Sequence, residues 1–482
     1  MENSYPQPGR LTLAGFASGR LGYPRNMGQQ LEVFDPATGQ LVDSLEVSHP
    51  TELLTRARAA WVDWKRTAPS DRAALLKAGA RRLRAAIDDI ALLQTREGGK
   101  PLGDSRGGVE AGISAIEQYA ELGPLHRGRT LQGGWNASDW MVNVPRGVAV
   151  LCLPWNDPVA IGCAQISANL AVGNTVVCKP SEKTPLSTAA VIDLLNRDLP
   201  EGVLQLAVGD GGVGAALVDH PETDLVVHVG SVNTGRSVAA VCARNGSKAI
   251  LELGGKDPMI VDAGVDPAWA ASQAAVGCFA NAGQICTSVE RLYVHREVAD
   301  GFLDALVDLA KSKRLGPGTD PSTDMGPLID ERQLEIVDRH VAEAVSGGVQ
   351  VLCGGHRLEG PGWFYPPTVL SGVRPGMRVV EEETFGPVAA VQVVDNFDEA
   401  LAAANEGIYG LAAVVLTPDM EHAQRAVREL DVGTVKINAA FGGAPGGSAS
   451  PHGASGSGFG YGPELLDELT RVRVVHLEPA PR

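Results

Sequence analysis

Two segments of the chain carry side chains able to do covalent chemistry. Gly283-Gln284-Ile285-Cys286-Thr287-Ser288 presents a thiol among small, uncharged neighbours that leave it accessible. Leu251-Glu252-Leu253-Gly254-Gly255-Lys256 presents a carboxylate beside a flexible Gly-Gly turn. A thiol that becomes acylated, with a base that activates water, converts an aldehyde into an acid when something accepts a hydride. Taken alone, Cys286 has an ordinary alternative, because most free cysteines are buried and inert. The chemistry therefore requires an oxyanion donor and a nicotinamide site elsewhere in the chain.

The elements that must position these groups are legible as a repeated strand–helix alternation beginning at Gly147. Strands are expected at 148–153, 175–178, 203–208 and 225–229, with helices at 158–171, 186–196, 212–219 and 232–244. This alternation implies a parallel sheet covered by helices, with ligands beyond the carboxyl ends of the strands. A second α/β region spans 251–440, with strands near 249–253, 258–261, 290–294, 388–393, 412–416 and 434–437. Before the first sheet, Leu31–Phe34 reads as a strand leading into the Asp35–Gly39 turn, and helices are expected at 51–67, 70–97 and 107–121. Residues 124–145, with Arg127, Arg129, Gly133, Gly134, Trp135 and Asn136, read as a hairpin standing off the main body. The stretch 441–462 is Gly-rich loop, and 471–477 reads as a strand. The hairpin and this last strand suit pairing across a subunit boundary; the alternative is a tail packed on its own domain.

Several motifs fall at strand ends. Gly209-Asp210-Gly211-Gly212-Val213-Gly214 matches GxGxxG literally, and Gly230-Ser231-Val232-Asn233-Thr234-Gly235 also opens a helix after a strand. Free backbone N–H groups at either turn suit a pyrophosphate, and glycine spacing alone does not choose between them. Lys179-Pro180-Ser181-Glu182 places a lysine and a carboxylate where a ribose would lie. A carboxylate that accepts from a 2′-hydroxyl repels a 2′-phosphate, which favours NAD over NADP. Pro154-Trp155-Asn156 offers an amide to a developing oxyanion. Glu383-Thr384-Phe385-Gly386-Pro387 closes an acidic run with an apolar, rigid loop rather than a solvated face.

In this order and at this approximate spacing, these segments resemble the aldehyde dehydrogenase superfamily, together with Asn405 and Tyr409-Gly410-Leu411. The resemblance runs from about residue 30 to the C-terminus. It implies Cys286 as nucleophile, Glu252 as general base, and Asn156 with the Cys286 backbone N–H as the oxyanion hole. It implies Lys179 and Glu182 on the adenosine ribose, Ser231 on the pyrophosphate, Glu383 on the nicotinamide ribose and Phe385 packing nearby. Trp155, Ser181, Gly209, Gly230 and Leu253 complete the expected cofactor contacts, with Gly209 in a turn near the adenine. The implied fold is α/β: a Rossmann-like NAD-binding domain (1–121 and 146–250), an α/β catalytic domain (251–440) and a small β oligomerisation element (122–145 and 463–482). A homodimer or homotetramer follows from that element. The chain departs from the pattern at Asp157, where an aromatic residue is common, and at 451–458, where the usual lysine is missing.

Composition narrows the alternatives. At 482 residues the chain needs more than one core. A net charge of -16 argues against non-specific nucleic-acid binding. Seven cysteines without a CxxC pair form neither a disulfide framework nor a zinc site, and fit reduced thiols in the cytoplasm. No metal is expected. The first ten residues have no apolar core, so no signal peptide is expected, and no apolar run reaches a membrane span. Three other functions remain: a CoA-acylating semialdehyde dehydrogenase, which Glu252 argues against; a thiol hydrolase, which leaves Lys179, Glu182 and Glu383 without purpose; and a non-catalytic member of the fold. The expected partner is a small-molecule aldehyde. The 113–120 helix supplies no arginine for a second substrate carboxylate, leaving Arg106 and Arg291 as the candidates for one.

Overall fold

The computed structural model describes residues 29–443 and 446–480. The expectation about a leader, and the first 28 residues of the assigned NAD-binding domain, lie outside the described residues.

Four strands of the first sheet, Val148–Cys152, Thr175–Lys179, Leu204–Leu206 and Leu225–Val229, are buried almost throughout, as parallel strands covered by helices must be. Its order is Gly456–Ser457, Lys248–Glu252, Leu225–Val229, Val148–Cys152, Thr175–Lys179, Leu204–Leu206. All its pairings are parallel except that of Gly456–Ser457 with Lys248–Glu252. The chain builds outward from Val148–Cys152 in one direction, then returns to pair Leu225–Val229 on its other side. That reversal opens a crevice at the carboxyl ends of these two strands. The helix Pro158–Val172 is buried at almost every position. Its small residues allow close packing: a Cβ on Gly112 of the helix Leu102–Leu125 would lie 3.1 Å from the Cys163 Cβ.

The second sheet has seven strands, in the order Gln350–Cys353, Thr368–Ser371, Val388–Val394, Val289–His295, Asp257–Val261, Ala412–Leu416, Thr434–Ile437. Only the first pairing is antiparallel. Two of these strands, Gln350–Cys353 and Thr368–Ser371, were not expected. Each is four residues long, too short for alternation to declare itself.

The strand expected at 249–253 in the second region runs over Lys248–Glu252 and belongs to the first sheet. The chain crosses to the second sheet through Leu253-Gly254-Gly255-Lys256, and Asp257 already pairs with Val289. Glu252 thus stands at the seam. The helix expected over 70–97 is two, Pro69–Ala85 and Ile87–Gly98, broken at Ala86 (φ -113°, ψ 14°). Asp88 and Asp89 in the first turn of the second favour a new N-terminus there. The helix expected to end at residue 121 continues to Leu125.

Thr470–Leu477 pairs antiparallel along the full length of Ser138–Pro145, which pairs in turn with Arg129–Leu131. The tail and the hairpin therefore join within one chain. Val472, Val474 and Trp135 remain exposed on this sheet and its tip.

Candidate active site

The crevice at the first sheet's carboxyl edge is a cleft of about 690 Å³ that reaches the seam between the sheets. Cys286, Glu252 and Asn156 all line it. Asn156 follows the strand Val148–Cys152 and is almost buried. Its loop is tied on both sides: Thr184 Oγ1 donates to the Trp155 carbonyl at 3.2 Å, and Lys100 Nζ reaches Asp157 Oδ1 at 3.1 Å.

Cys286 lies between the short 3-10 turn Ala280–Gly283 and the strand Val289–His295. Three successive residues enter it at positive φ: Asn281 (48°), Ala282 (55°) and Gly283 (72°). The two non-glycines are strained in that region, so something must hold them. Buried Gln284 does so. Its Nε2 donates to the Asn281 carbonyl at 3.0 Å and its Oε1 accepts from the Ile329 N–H at 2.9 Å. Asn281 Nδ2 then reaches the Asn156 carbonyl at 3.4 Å, linking the Cys286 loop to the Asn156 loop. A Cβ on Gly283 would overlap the Gly386 carbonyl, so the loop bearing Phe385 also presses against the nucleophile loop.

Glu383 and Phe385 are fixed by a buried charge pair. Lys256 Nζ meets Glu290 Oε2 at 2.5 Å and Thr384 Oγ1 at 3.0 Å. Glu290 accepts the backbone N–H groups of Thr384 and Phe385, each at 2.7 Å. Gln333 donates to both their carbonyls, at 2.9 and 3.0 Å. Phe385, itself at φ 51°, meets Trp155 edge-on at 5.2 Å. Glu383 Oε1 accepts from the Gly255 N–H at 3.1 Å, and a Cβ on Gly254 would overlap its carboxyl group. Gly254 therefore admits close approach of this carboxylate, while a Cβ on Gly255 would lie 2.8 Å from the Cys286 carbonyl.

The outer part of the cleft suits a dinucleotide. Gly230 and Ser231 open the 14-residue helix Val232–Asn245, whose Ser231 cap accepts from the Thr234 N–H. Thr234 and Ser237 continue the wall. Gly235 is required because a Cβ there would overlap Leu253, which also lines the cleft. Lys179, Ser181 and Glu182 line the next strand end, with Lys179 Nζ 3.8 Å from Glu182 Oε2. Lys183 stacks on Trp155 at 5.3 Å. Gly209 does not line the cleft. At φ 152° it packs against Val213 as a turn, while Gly211 and Gly214 of the same motif form wall. Asp210 caps that helix with its own side chain, so its N-terminus is already satisfied.

The electrostatics distinguish three groups. Burial pushes Glu252 up to about 7, against a backbone N–H bond from Gly460 that lowers it. Burial, with the nearby Glu290 charge, raises Glu383 to about 8. Burial, then the charges of Glu252, Asp257 and Glu383, push the Cys286 thiol up to about 12.

Sequence reasoning missed Asp330, Arg332, Gln333 and Ile336, which line the cleft from the start of the helix Glu331–Ser346. Asp330 followed by a helical pattern was a readable N-cap, but nothing in it announced a ligand. Of the two arginines left open for a substrate carboxylate, Arg291 is buried and spent on the carbonyls of Lys256, Ala404 and Glu406, and Arg106 pairs with Asp88 at the surface.

Residues 23–475 match the aldehyde dehydrogenase family. The chain is 36% identical over 470 residues to a betaine aldehyde dehydrogenase of Cereibacter sphaeroides, covering 94% of this chain and 95% of that one. It superimposes on an aldehyde dehydrogenase of Bacillus cereus solved as its NAD+ complex with a TM-score of 0.92, at 31% identity over 94% of each chain. A 3,6-anhydro-L-galactose dehydrogenase solved in complex with NAP gives a TM-score of 0.90 at 33% identity, over 93% of this chain and 96% of that one. The chain belongs to the aldehyde dehydrogenase family and is an NAD-dependent oxidoreductase acting on an aldehyde.

Proposed function

We propose that in this member of the aldehyde dehydrogenase family Cys286, Glu252 and Asn156 carry the oxidation of an aldehyde to its acid. The observation that carries this reading is their convergence, from a strand end and loops of two different sheets, on the wall of one cleft of dinucleotide size. The Cys286 thiol gives up its proton to solvent water and its sulfur attacks the aldehyde carbon. The Asn156 amide and the Cys286 backbone N–H donate to the oxygen as it becomes negative. NAD, when bound, accepts the hydride. Trp155, Lys179, Ser181, Glu182, Gly230, Ser231, Leu253, Glu383 and Phe385 are the residues proposed to hold it. The acyl group then remains on Cys286 as a thioester. Glu252 takes a proton from water, the water attacks the thioester carbon, and the acid leaves as the thiol is restored.

The raised ionisation of Glu252 suits this sequence, whereas burial, the first cause of the Cys286 shift, opposes its thiolate. Each negative charge makes the other costlier, so Cys286 loses its proton most easily while Glu252 is neutral. Near pH 7 Glu252 passes between both forms. It is neutral for one half-reaction and charged for the other. Asn156→Ala should lower kcat by about 10²–10³-fold, with the rate of Cys286 alkylation by iodoacetamide unaffected. Parallel measurement of steady-state NADH formation and alkylation checks both. NAD is favoured over NADP because Glu182 faces the ribose end of the cleft; NADP is accommodated if that half-exposed carboxylate turns aside.

The same reading extends to assembly and location. Thr470–Leu477 is an eight-residue edge strand with Val472 and Val474 exposed, which supports pairing with a second copy in a homodimer or homotetramer. We place the three units at the NAD-binding sheet, the catalytic sheet and this edge element, with the passage between the first two at 253–256. Seven free cysteines support a reducing compartment, the cytoplasm. Among the described residues no helix is long and apolar enough to cross a membrane.

The test is NADH formation from a panel of aldehydes with NAD and no CoA. Sustained turnover is expected. A strict requirement for CoA would assign the chain to the CoA-acylating type instead.

A further inference from the structure

Glu252 ends the strand Lys248–Glu252 and is backed by a segment from near the end of the chain. Gly456–Ser457 pairs antiparallel with that strand, with Gly456 opposite Glu252. Ser455 fastens the turn that follows the base. Its carbonyl accepts from the Leu253 N–H at 2.8 Å, and its hydroxyl donates to the Gly254 carbonyl at 2.8 Å. A few residues on, Gly460 comes back against the Glu252 carboxyl group so closely that a Cβ there would overlap it.

Gly460 is held in that place from a distance. Its carbonyl accepts from Gln165 Nε2 at 2.6 Å, a residue 295 positions away in the chain. Gln165 lies in the helix Pro158–Val172, which begins just after Asn156-Asp157. One helix therefore carries the Asn156 loop at its N-terminus and the tie to Gly460 in its middle. Gln165 is completely buried, and its Oε1 has no hydrogen-bond partner among the described residues. Ser167 and Asn169 of the same helix bond to carbonyls of that helix, Ser167 to Cys163 and Asn169 to Gln165. The Gln165 side chain instead reaches out of the helix to a single atom. Burying an amide with its oxygen unmet costs stability that an apolar side chain of the same size would not. What the amide supplies here is the placement of Gly460.

We propose that Gln165 is a positioning residue for the hydrolytic half of the reaction: by holding the Gly460 carbonyl it keeps the Gly460 backbone against the Glu252 carboxyl group and so fixes where the base stands. This rests on the aldehyde-oxidising reading above and deepens its second step. Burial raises Glu252, and the Gly460 N–H bond works against that by favouring the charged form. The Glu252 charge acts in turn on Cys286, from its loop, and on Tyr461, from the returning segment. Substituting Gln165 changes neither of these groups.

The test measures the two halves separately across pH 5.5–9 in the wild type, Gln165→Met and Gly460→Ala. Acylation is read as the pre-steady-state rate of NADH formation, and deacylation as decay of the acyl-enzyme in rapid-quench mass spectrometry. Gln165→Met fills similar space without a donor. Its acylation should match the wild type, while the pH midpoint of deacylation rises by about one unit and the rate at pH 7 falls about fivefold. Gly460→Ala intrudes on the carboxyl group itself and should lower deacylation at every pH by about 10²-fold with acylation kept. NAD binding, read by tryptophan fluorescence, should be unchanged in both. An unmoved midpoint in Gln165→Met, acylation slowed as much as deacylation, or loss of NAD binding in both variants would each overturn the proposal. Absence of NADH from the wild type with every aldehyde would overturn the aldehyde-oxidising reading itself, and the proposal with it.

Discussion

Cys286→Ala is expected to abolish NADH formation with every aldehyde, a loss of roughly 10⁴-fold or more. The size follows from its having no substitute. Cys152 also lines the cleft, but it ends the strand Val148–Cys152 and lies outside the loop that carries Cys286. Cys278 is wholly buried. The substitution removes side-chain atoms that hold nothing else in place, because the loop is held by Gln284, Asn281 and the contact of Gly283 with Gly386. NAD binding, followed by quenching of intrinsic tryptophan fluorescence, should therefore survive. Loss of NAD binding together with activity would show instead that Cys286 supports the cleft rather than the reaction.

Glu252→Gln is expected to separate the two halves of the reaction. The amide keeps the shape of the carboxyl group against Gly460 but cannot take a proton from water. Acylation should proceed once, giving a burst of about one NADH per active site, while turnover falls by about 10²–10⁴-fold. The pH dependence has a definite sign. The Glu252 pKa is raised to about 7, so the base is protonated and idle below that pH and active above it. Wild-type deacylation should rise with pH through about 7, and the Gln variant should lose that limb. Stopped-flow absorbance across pH 5.5–9 reads both. A Gln variant that turns over at the wild-type rate would remove Glu252 from the mechanism.

The parts of this site that were legible in the sequence are those whose chemistry depends on residue type at a strand end. Asn156, Lys179, Ser231 and Glu252 each end or follow a strand of strongly apolar residues, and strand–helix alternation alone brings such ends together. Cys286 and Glu383 are different. Neither ends a strand of the first sheet, and only the superfamily resemblance associated them with it. The reason is physical: their loops are placed by contacts distant in sequence, Gln284 with Ile329 and Glu290 with Thr384 and Phe385. Gly209 shows the converse. Its motif is literal and follows a strand, yet Asp210 caps the helix with its own side chain, and the cleft wall is formed by Gly211 and Gly214 of the motif rather than by Gly209. A glycine pattern records a tight turn before it records a ligand. Glu252 was assigned to the wrong sheet because Leu251 to Met259 reads as two strands with no mark of which sheet each joins. Only the pairing of Val229 with Glu252 and of Asp257 with Val289 decides that.

The central claim, that an acyl group forms on Cys286 and leaves through Glu252, is tested most directly by intact-protein mass spectrometry of Glu252→Gln after mixing with NAD and aldehyde. The account predicts one added acyl mass per chain, mapped by peptide digestion to Cys286 and absent when NAD is omitted. No adduct, or an adduct on another residue, in a protein that still releases its burst of NADH would contradict it.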